Sequence, residues 1–367
     1  AYGQAGASLL EAEVVTADGD VKIANGCTNP DLFWALKGGG AGFGVVTRVT
    51  LRTHPLPEFF GFVAAGIKAS SDEAYRRLIA RMIAFYRDSL FNPHWGEQIV
   101  FAPGRAISIF MVFQGLGQQQ AEAVWKPFFD WVAAAPRDFT VSSAPRVLAA
   151  PARGFWNPAF LKQVPGVIVS DNRPGAPADN IFWASNLGEA GRVWHAYQSV
   201  WLPQSLLADN ERERLAEALF AAAKRWGVSL HFNKGLAGAA AEAIAAARDT
   251  AMNPAVVDAF ALAISGAGEP PAYPDIAGHE PDVALARSDA EAVTAAMNEI
   301  RKLTARLGSY VWETDYFQVN WQDAFWGENY GRLRAVKDKY DPDGLFFLHH
   351  GVGSEDWSAD GFSRLRR

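Results

Sequence analysis

Three groups of residues are of the right type and spacing to do chemistry. The first is a glycine run at 38–44, with Gly38, Gly39, Gly40, Gly42 and Gly44 around Phe43 and leading into Val45. Glycines let a backbone approach a phosphate closely and present N–H donors to it. The run lacks the GxGxxG spacing, and no GK[ST] follows. Its order is helix, glycine, strand, the reverse of a dinucleotide-binding turn. A tight helix-to-strand turn is the plainer alternative, yet five glycines exceed what a helix cap needs. The second group is 228–235, where Ser229, His231 and Asn233 alternate with Val228, Leu230 and Phe232. On a strand the polar set shares one face. Such a face could grip a small molecule, with His231 taking a proton near neutral pH and Lys234 adding positive charge, or it could simply meet solvent. The third is 309–315, where alternation places Tyr310 and Trp312 together. Tyr310 could act as general base if a neighbour lowered its pKa from about 10, or could be an ordinary strand aromatic.

Other reactive types carry less. His349 and His350 are adjacent, and adjacent strand residues point to opposite faces, so they make a poor metal pair. His195 sits among aromatics and reads as packed. Ser354 has no GxSxG context for a nucleophile. Cys27 is the single cysteine, which excludes an internal disulfide framework and any multi-cysteine metal site. No metal is expected.

These residues need elements to hold them. A hairpin is expected over 8–24, turning at Asp18-Gly19. A short helix over 31–37 begins at Pro30, and a strand over 45–52 follows the glycines. His54-Pro55-Leu56-Pro57 makes a boundary. From 58 to about 300, strands and amphipathic helices mix. Ser70 and Glu73 form a capping-box pattern ahead of a helix whose one face carries Tyr75, Leu78, Ile79, Met82 and Ile83. Ile107, Ile109, Met111 and Phe113 alternate as a half-buried strand, and Ala121, Trp125, Phe128 and Val132 form a helical core stripe. Further helices are expected over 208–226, 237–247 and 288–307, the last capped by Ser288. Finally come a short strand over 309–316, a helix over 322–339, a stop at Asp341-Pro342-Asp343-Gly344 and a buried strand over 345–348. Hairpin-like strands among helices imply an α+β fold, an antiparallel sheet covered by helices on one side.

The 367 residues are 49% hydrophobic and 20% charged, with 13 Trp and 24 Phe. That is ample material for one or two packed domains and excludes disorder. No apolar run is long enough for a membrane helix; 255–264 is short and contains Asp258. Net charge is −6 and no basic stripe occurs, which argues against a nucleic-acid partner. The compartment stays open, secreted or periplasmic included.

Two long segments resemble a known family. Pro30-Asp31-Leu32-Phe33-Trp34-Ala35-Leu36-Lys37 running through the glycines to Val45-Val46-Thr47 is similar to the segment closing the flavin lobe in the vanillyl-alcohol-oxidase superfamily, in its berberine-bridge-enzyme-like branch. Trp321-Gln322-Asp323-Ala324-Phe325-Trp326-Gly327, Asn329-Tyr330, Lys337, Tyr340-Asp341-Pro342-Asp343-Gly344-Leu345-Phe346 and Gly351-Val352-Gly353-Ser354-Glu355-Asp356-Trp357 resemble its C-terminal berberine-bridge segment. The resemblance implies two lobes: part of an FAD lobe at 1–57, a substrate domain with an antiparallel sheet at 58–305, and a berberine-bridge-like segment at 306–367 returning to the FAD lobe. It implies an FAD-dependent oxidoreductase passing hydride from a C–H bearing an alcohol or amine to flavin N5, with dioxygen as the expected acceptor. Tyr310 is the first candidate base and His231 the second. Gly39, Gly40, Gly42, Phe43, Gly44, Val45, Trp312, Asn329 and Tyr330 are the expected cofactor contacts. Trp312 stands where the family pattern Tyr-x-Asn-Glu-x-Asp has Asn. Ser229, Asn233, Lys234 and His350 are expected at the substrate. FAD is expected to be covalent, anchored through a segment not among these residues. That segment would be a further ~150–200 residues, about one domain, either in a longer chain or as a second polypeptide of a processed protein. A carbohydrate oxidase of the same family and a non-catalytic ligand-binding partner chain are the alternatives.

Overall fold

The structure, a computed structural model, describes residues 2–304 and 308–365. Leu9–Val15 (β1) and Val21–Asn25 (β2) form the expected hairpin, with Gly19 at φ 82° in the turn. Pro30–Leu36 (α1) starts on its proline, whose missing N–H costs nothing in a first turn. Val45–Leu51 (β3) then pairs antiparallel with β1, giving a three-stranded sheet in the order β2-β1-β3.

The larger sheet has seven strands. Phe59–Ala69 (β4) leads into the helix Asp72–Phe85 (α2); Trp95–Ala102 (β5) and Ala106–Gln114 (β6) form a hairpin; Gln118–Ala133 (α3) precedes Phe139–Pro151 (β7). An excursion holds Pro158–Leu161 (α4) and the small hairpin of Ile168–Ser170 (β8) and Ile181–Trp183 (β9). Val193–Pro203 (β10), Arg212–Ala223 (α5), Val228–His231 (β11), Ala241–Arg248 (α6), Ala255–Asp258 (α7), Ala259–Glu269 (β12) and Val283–Arg301 (α8) follow. The strand order is β10-β12-β11-β5-β6-β4-β7, antiparallel at every step.

Alternation decides which face is covered. Val63, Ala65 and Ile67 of β4, Ile99 and Phe101 of β5, the odd residues 107–113 of β6, and Val228 and Leu230 of β11 are buried in one cluster with Tyr75, Leu78, Ile79 and Met82 of α2 and Trp125, Phe128 and Val132 of α3. Each large side chain buried there contributes roughly 1.5–3 kcal/mol. The alternate residues of these strands, Phe62, Ala64, Phe110, Gln98 and His231, therefore share the opposite face.

A second core joins the two ends of the chain. Ala12, Val14, Leu32, Trp34 and Phe43 pack with Phe325, Trp326, Leu333, Val336 and Tyr340 from Trp321–Trp326 (α9) and Tyr330–Tyr340 (α10). The Tyr340 hydroxyl donates to Asp31 at 2.9 Å, tying α10 to α1.

Several local expectations are corrected. The cap of α2 is Ser71, whose Oγ accepts from Ala74 N at 3.1 Å, not Ser70. α8 begins earlier, capped by the Asp282 carboxylate on Leu285 N at 2.9 Å, which leaves Ser288 inside the helix. Residues 305–307, where that helix was to end and where the boundary between 305 and 306 was placed, lie outside the described residues. Segment 309–316 is not a strand. Ser309 N donates to Ala324 O and Tyr310 N to Ser199 Oγ, so its amides meet α9 and β10 one at a time rather than as a ladder. Segment 345–348 is likewise irregular and Leu345 is exposed, because the Asp341 carboxylate takes the Leu345 and Phe346 amides. The helix expected over 322–339 breaks at Gly327, at φ 53°.

Candidate functional site

The open face of the large sheet carries a polar cluster at β11 and β5. Ser229 Oγ lies 2.9 Å from His231 Nε2 and also donates to Ile264 O at 3.3 Å. His231 Nδ1 is buried without a hydrogen bond, 3.6 Å from Glu97 Oε1. Glu97 also accepts from Asn233 Nδ2 at 3.0 Å through Oε2. Glu97 has φ 65°, the left-handed region that non-glycine residues rarely occupy. The nearby His231, with help from Asn233 and Lys234, holds the Glu97 carboxyl below the usual carboxylate range against the effect of burial.

Lys234 extends the cluster. Its Nζ pairs with Glu313 Oε2 at 2.8 Å and lies 4.2 Å from the centre of the Tyr310 ring. Tyr310 packs edge-on against Trp201, centroids 6.0 Å apart. Burial pushes the Tyr310 phenol up, and the pull of Lys234 in the other direction is the smaller effect. The lowered phenol that a tyrosine base requires is therefore not found at Tyr310. Tyr197 is also pushed up, to about 12, by burial and then by Glu313.

The glycine run divides into two kinds of residue. At Gly39 a Cβ would lie 2.5 Å from Leu333 and 2.6 Å from Ala35 O, and Phe43 is buried in the second core. Both were expected at a cofactor; here they are packing residues. Gly44 would drive a Cβ 2.6 Å from Val14, so its glycine is required by β1. Gly40 and Gly42, at φ 81° and 112°, keep a partly open outer side that continues to the exposed Val45. Lys337 holds this loop from behind: its Nζ donates to Gly42 O at 2.6 Å and Phe346 O at 2.9 Å and pairs with Asp341 at 2.5 Å. Trp326 Nε1 donates to Gly38 O at 3.0 Å.

The remaining candidates are dispersed. Asn329 donates to Met252 O at 2.7 Å, and the Tyr330 hydroxyl donates to Glu355 at 2.6 Å, so both tie protein segments together. Trp312 is half exposed in a turn rather than beside Tyr310 on a strand. His349 and His350 do not point to opposite faces: with His350 at φ 57° their rings stack, centroids 3.9 Å apart, between Tyr316 and Trp321. His350 Nδ1 is buried without a partner, and burial pushes its pKa down. Among the described residues, no cluster of three or more His, Cys, Asp or Glu could hold a metal, and no helix is long and apolar enough to cross a membrane. His195 bonds Asp289 at 2.8 Å inside the packed layer between β10 and α8.

Beside the polar cluster lies a cleft of about 800 Å³, the feature that sequence reasoning missed. Phe60 and Phe62 of β4, Phe110 of β6, Phe155, Trp156 and Trp183 line it, and Asn233 belongs to both it and the polar cluster. Alternation along β4 and β6 puts Phe62 and Phe110 on the open face. The rings at 155, 156 and 183 arrive from a remote excursion that no periodicity announces. Glu97 and Glu313 were also missed, because each meets its partner across a long stretch of sequence.

A family described as "Berberine and berberine like" matches residues 299–353. The FAD-linked oxidoreductase notD' of Aspergillus versicolor is 29% identical over 99% of this chain and 54% of its own length. The VAO-type flavoprotein oxidase VAO615 of Thermothelomyces thermophilus is 28% identical over 100% of this chain and 58% of its own. The chain thus spans somewhat over half the length of these curated relatives. The crystal structure of VAO-type flavoprotein MtVAO615 from Myceliophthora thermophila C1 superposes with a TM-score of 0.70 at 23% identity, covering 98% of this chain and 59% of that one. The α+β architecture is that of VAO-type structures.

Proposed function

We propose, since this chain belongs to the vanillyl-alcohol-oxidase superfamily in its berberine-bridge-like branch, that it forms the substrate-covering part of an FAD-dependent oxidoreductase acting on a C–H that bears an alcohol or amine, with dioxygen as acceptor. The observation that carries this is the open sheet face, where Glu97, Ser229, His231, Lys234 and Tyr310 converge beside an apolar cleft. FAD would supply the hydride acceptor. Gly40, Gly42 and Val45 offer backbone groups and an accessible outer side that fit such a group, and Trp312 adds an exposed ring nearby in sequence to Tyr310. The domain limits expected from sequence, 1–57, 58–305 and 306–367, and covalent attachment of FAD through a companion segment, belong to the same proposal.

The chain's own residues have distinct tasks in it. His231 is the proton acceptor, its ring set between Ser229 Oγ at 2.9 Å on the Nε2 side and Glu97 Oε1 at 3.6 Å on the Nδ1 side. Ser229 fixes the ring by its contact at Nε2. Tyr310, kept neutral by burial, orients the substrate by donating a hydrogen bond, and Lys234 holds its ring from above. This reverses the order of the two candidate bases.

The test is anaerobic stopped-flow reduction of the flavin in the full-length protein. His231→Gln should slow reduction by about 10²–10⁴-fold, the usual worth of a general base, and Tyr310→Phe by roughly ten-fold, one hydrogen bond's worth. The opposite order would restore Tyr310 as base. A colourless protein that reduces no bound flavin would end the oxidoreductase reading.

A further inference from the structure

We propose that the aromatic cleft is a binding site for a planar, apolar ring system, the part of the substrate remote from the oxidised carbon. That the ligand is a substrate rests on the oxidoreductase reading; that the cleft binds such a ring rests on the cleft alone. Its volume of about 800 Å³ falls inside the ~300–1,000 Å³ range of small-molecule sites. Its walls are rings. Phe62 and Phe110 lie near-parallel, centroids 5.9 Å apart at 28°. Phe60 meets Phe155 edge-on at 5.9 Å and Trp156 at 5.8 Å with the rings tilted by 40°. Phe110, Trp156 and Trp183 are exposed at 44%, 68% and 45%, far more than large aromatics in a finished core, so their faces await a partner.

A sugar could also stack on such rings, so the polar lining decides the class. None of the described lining residues is Asp, Glu, Lys or Arg. Several of its polar groups are already spent on the protein. Asn92 donates to Ser89 O and accepts from His94 N, Gln114 donates to Pro93 O, His94 Nδ1 bonds Gln114 O, and Asn233 donates to Glu97. A sugar entering here would lose water at many hydroxyls and meet no charged side chain among the described lining residues to replace it. A flat ring loses nothing comparable and gains stacking contacts beyond the area buried. Asn233 sets the polarity of the bound molecule: with the ring in the cleft, its functional group points along Asn233 toward Glu97 and His231.

Calorimetry on the full-length flavoprotein tests this, with naphthylmethanol as planar probe and cellobiose as sugar probe. Naphthylmethanol should bind saturably with a negative heat-capacity change, and cellobiose should show no saturable heat. Phe110→Ala and Trp156→Ala, both at exposed positions and so compatible with folding, should each weaken naphthylmethanol binding at least five-fold. Cellobiose binding as tightly as naphthylmethanol, or affinity for naphthylmethanol unchanged in both variants, would overturn the proposal. The two readings fail separately. Ring binding with no flavin reduction by any alcohol or amine ends the enzymatic reading and leaves the site. Flavin reduction by a substrate whose KM ignores both variants ends the site and leaves the enzyme.

Discussion

His231 and Glu97 come from neighbouring strands, and neither would matter alone: a solvated histidine is an ordinary base, and a half-buried carboxylate without a cation is a cost. Glu97 is held below the usual carboxylate range chiefly by His231, so it contributes stability above the unfolded-state pKa, and that contribution disappears as pH falls through its depressed folded value. Glu97→Gln should therefore cost about 1 kcal/mol at neutral pH, modest because the pair stays partly hydrated. The difference from wild type should close under acid, as read from urea midpoints across a pH series. Lys234 provides a second residue-scale prediction. Its ammonium favours the Tyr310 phenolate, opposing burial. Lys234→Met should raise the Tyr310 pKa further, seen as a shift of that phenol's titration to higher pH in tyrosine-labelled NMR spectra.

The glycine loop, α9 and α10 form one element-scale unit, and Lys337 is its tie. The Nζ meets Gly42 O, Phe346 O and the fully buried Asp341 carboxylate, and burial pushes the Lys337 pKa down. Lys337→Met would strand the Asp341 charge and free two carbonyls, and breaking a buried pair from one side costs about 3–5 kcal/mol. A large fall in the urea midpoint at unchanged slope is expected; loss under 1 kcal/mol would show that the loop is held by its apolar packing instead. Elements of this kind were unevenly legible. The hairpin at β1 and β2, the stripes of α2 and α3 and the alternation of β11 follow from local period, and each is where sequence places it. Segments 309–316 and 345–348 carry strand-like alternation, yet no ladder receives them. Ser199 Oγ, Ala324 O and the Asp341 carboxylate take their amides singly. Period reports which residues want burial, not whether a neighbouring strand has a free edge. For the same reason Ser229, His231 and Asn233 were visible as a polar set, whereas Glu97, Glu313 and the cleft depended on contacts that only the assembled sheet creates.

At the scale of the whole molecule, the two sheets differ in how they are finished. The seven-stranded sheet has a helical layer on one face and the polar cluster and cleft on the other. The three-stranded sheet has β3 at its edge, and all seven residues of Val45–Leu51 are exposed, Val45, Val46, Val49 and Leu51 among them. An edge strand with apolar side chains and unpaired amides is a template for another strand, and burying four such side chains would return several kcal/mol at ~25 cal/mol per Å². Arg48 and Arg52 are the charges that oppose pairing along this edge, and Arg48 is already drawn to Glu13 at 3.3 Å. The 367-residue chain on its own should therefore self-associate through β3. Light scattering coupled to size exclusion should show a dimer or larger species at micromolar concentration, and the double change Val46→Lys and Val49→Lys should return it to monomer with its thermal midpoint nearly unchanged, since both side chains are exposed before the change. A chain that is monomeric without these substitutions would mean that the edge is protected by the twist of its own sheet, and self-association that survives them would place the contact on another surface.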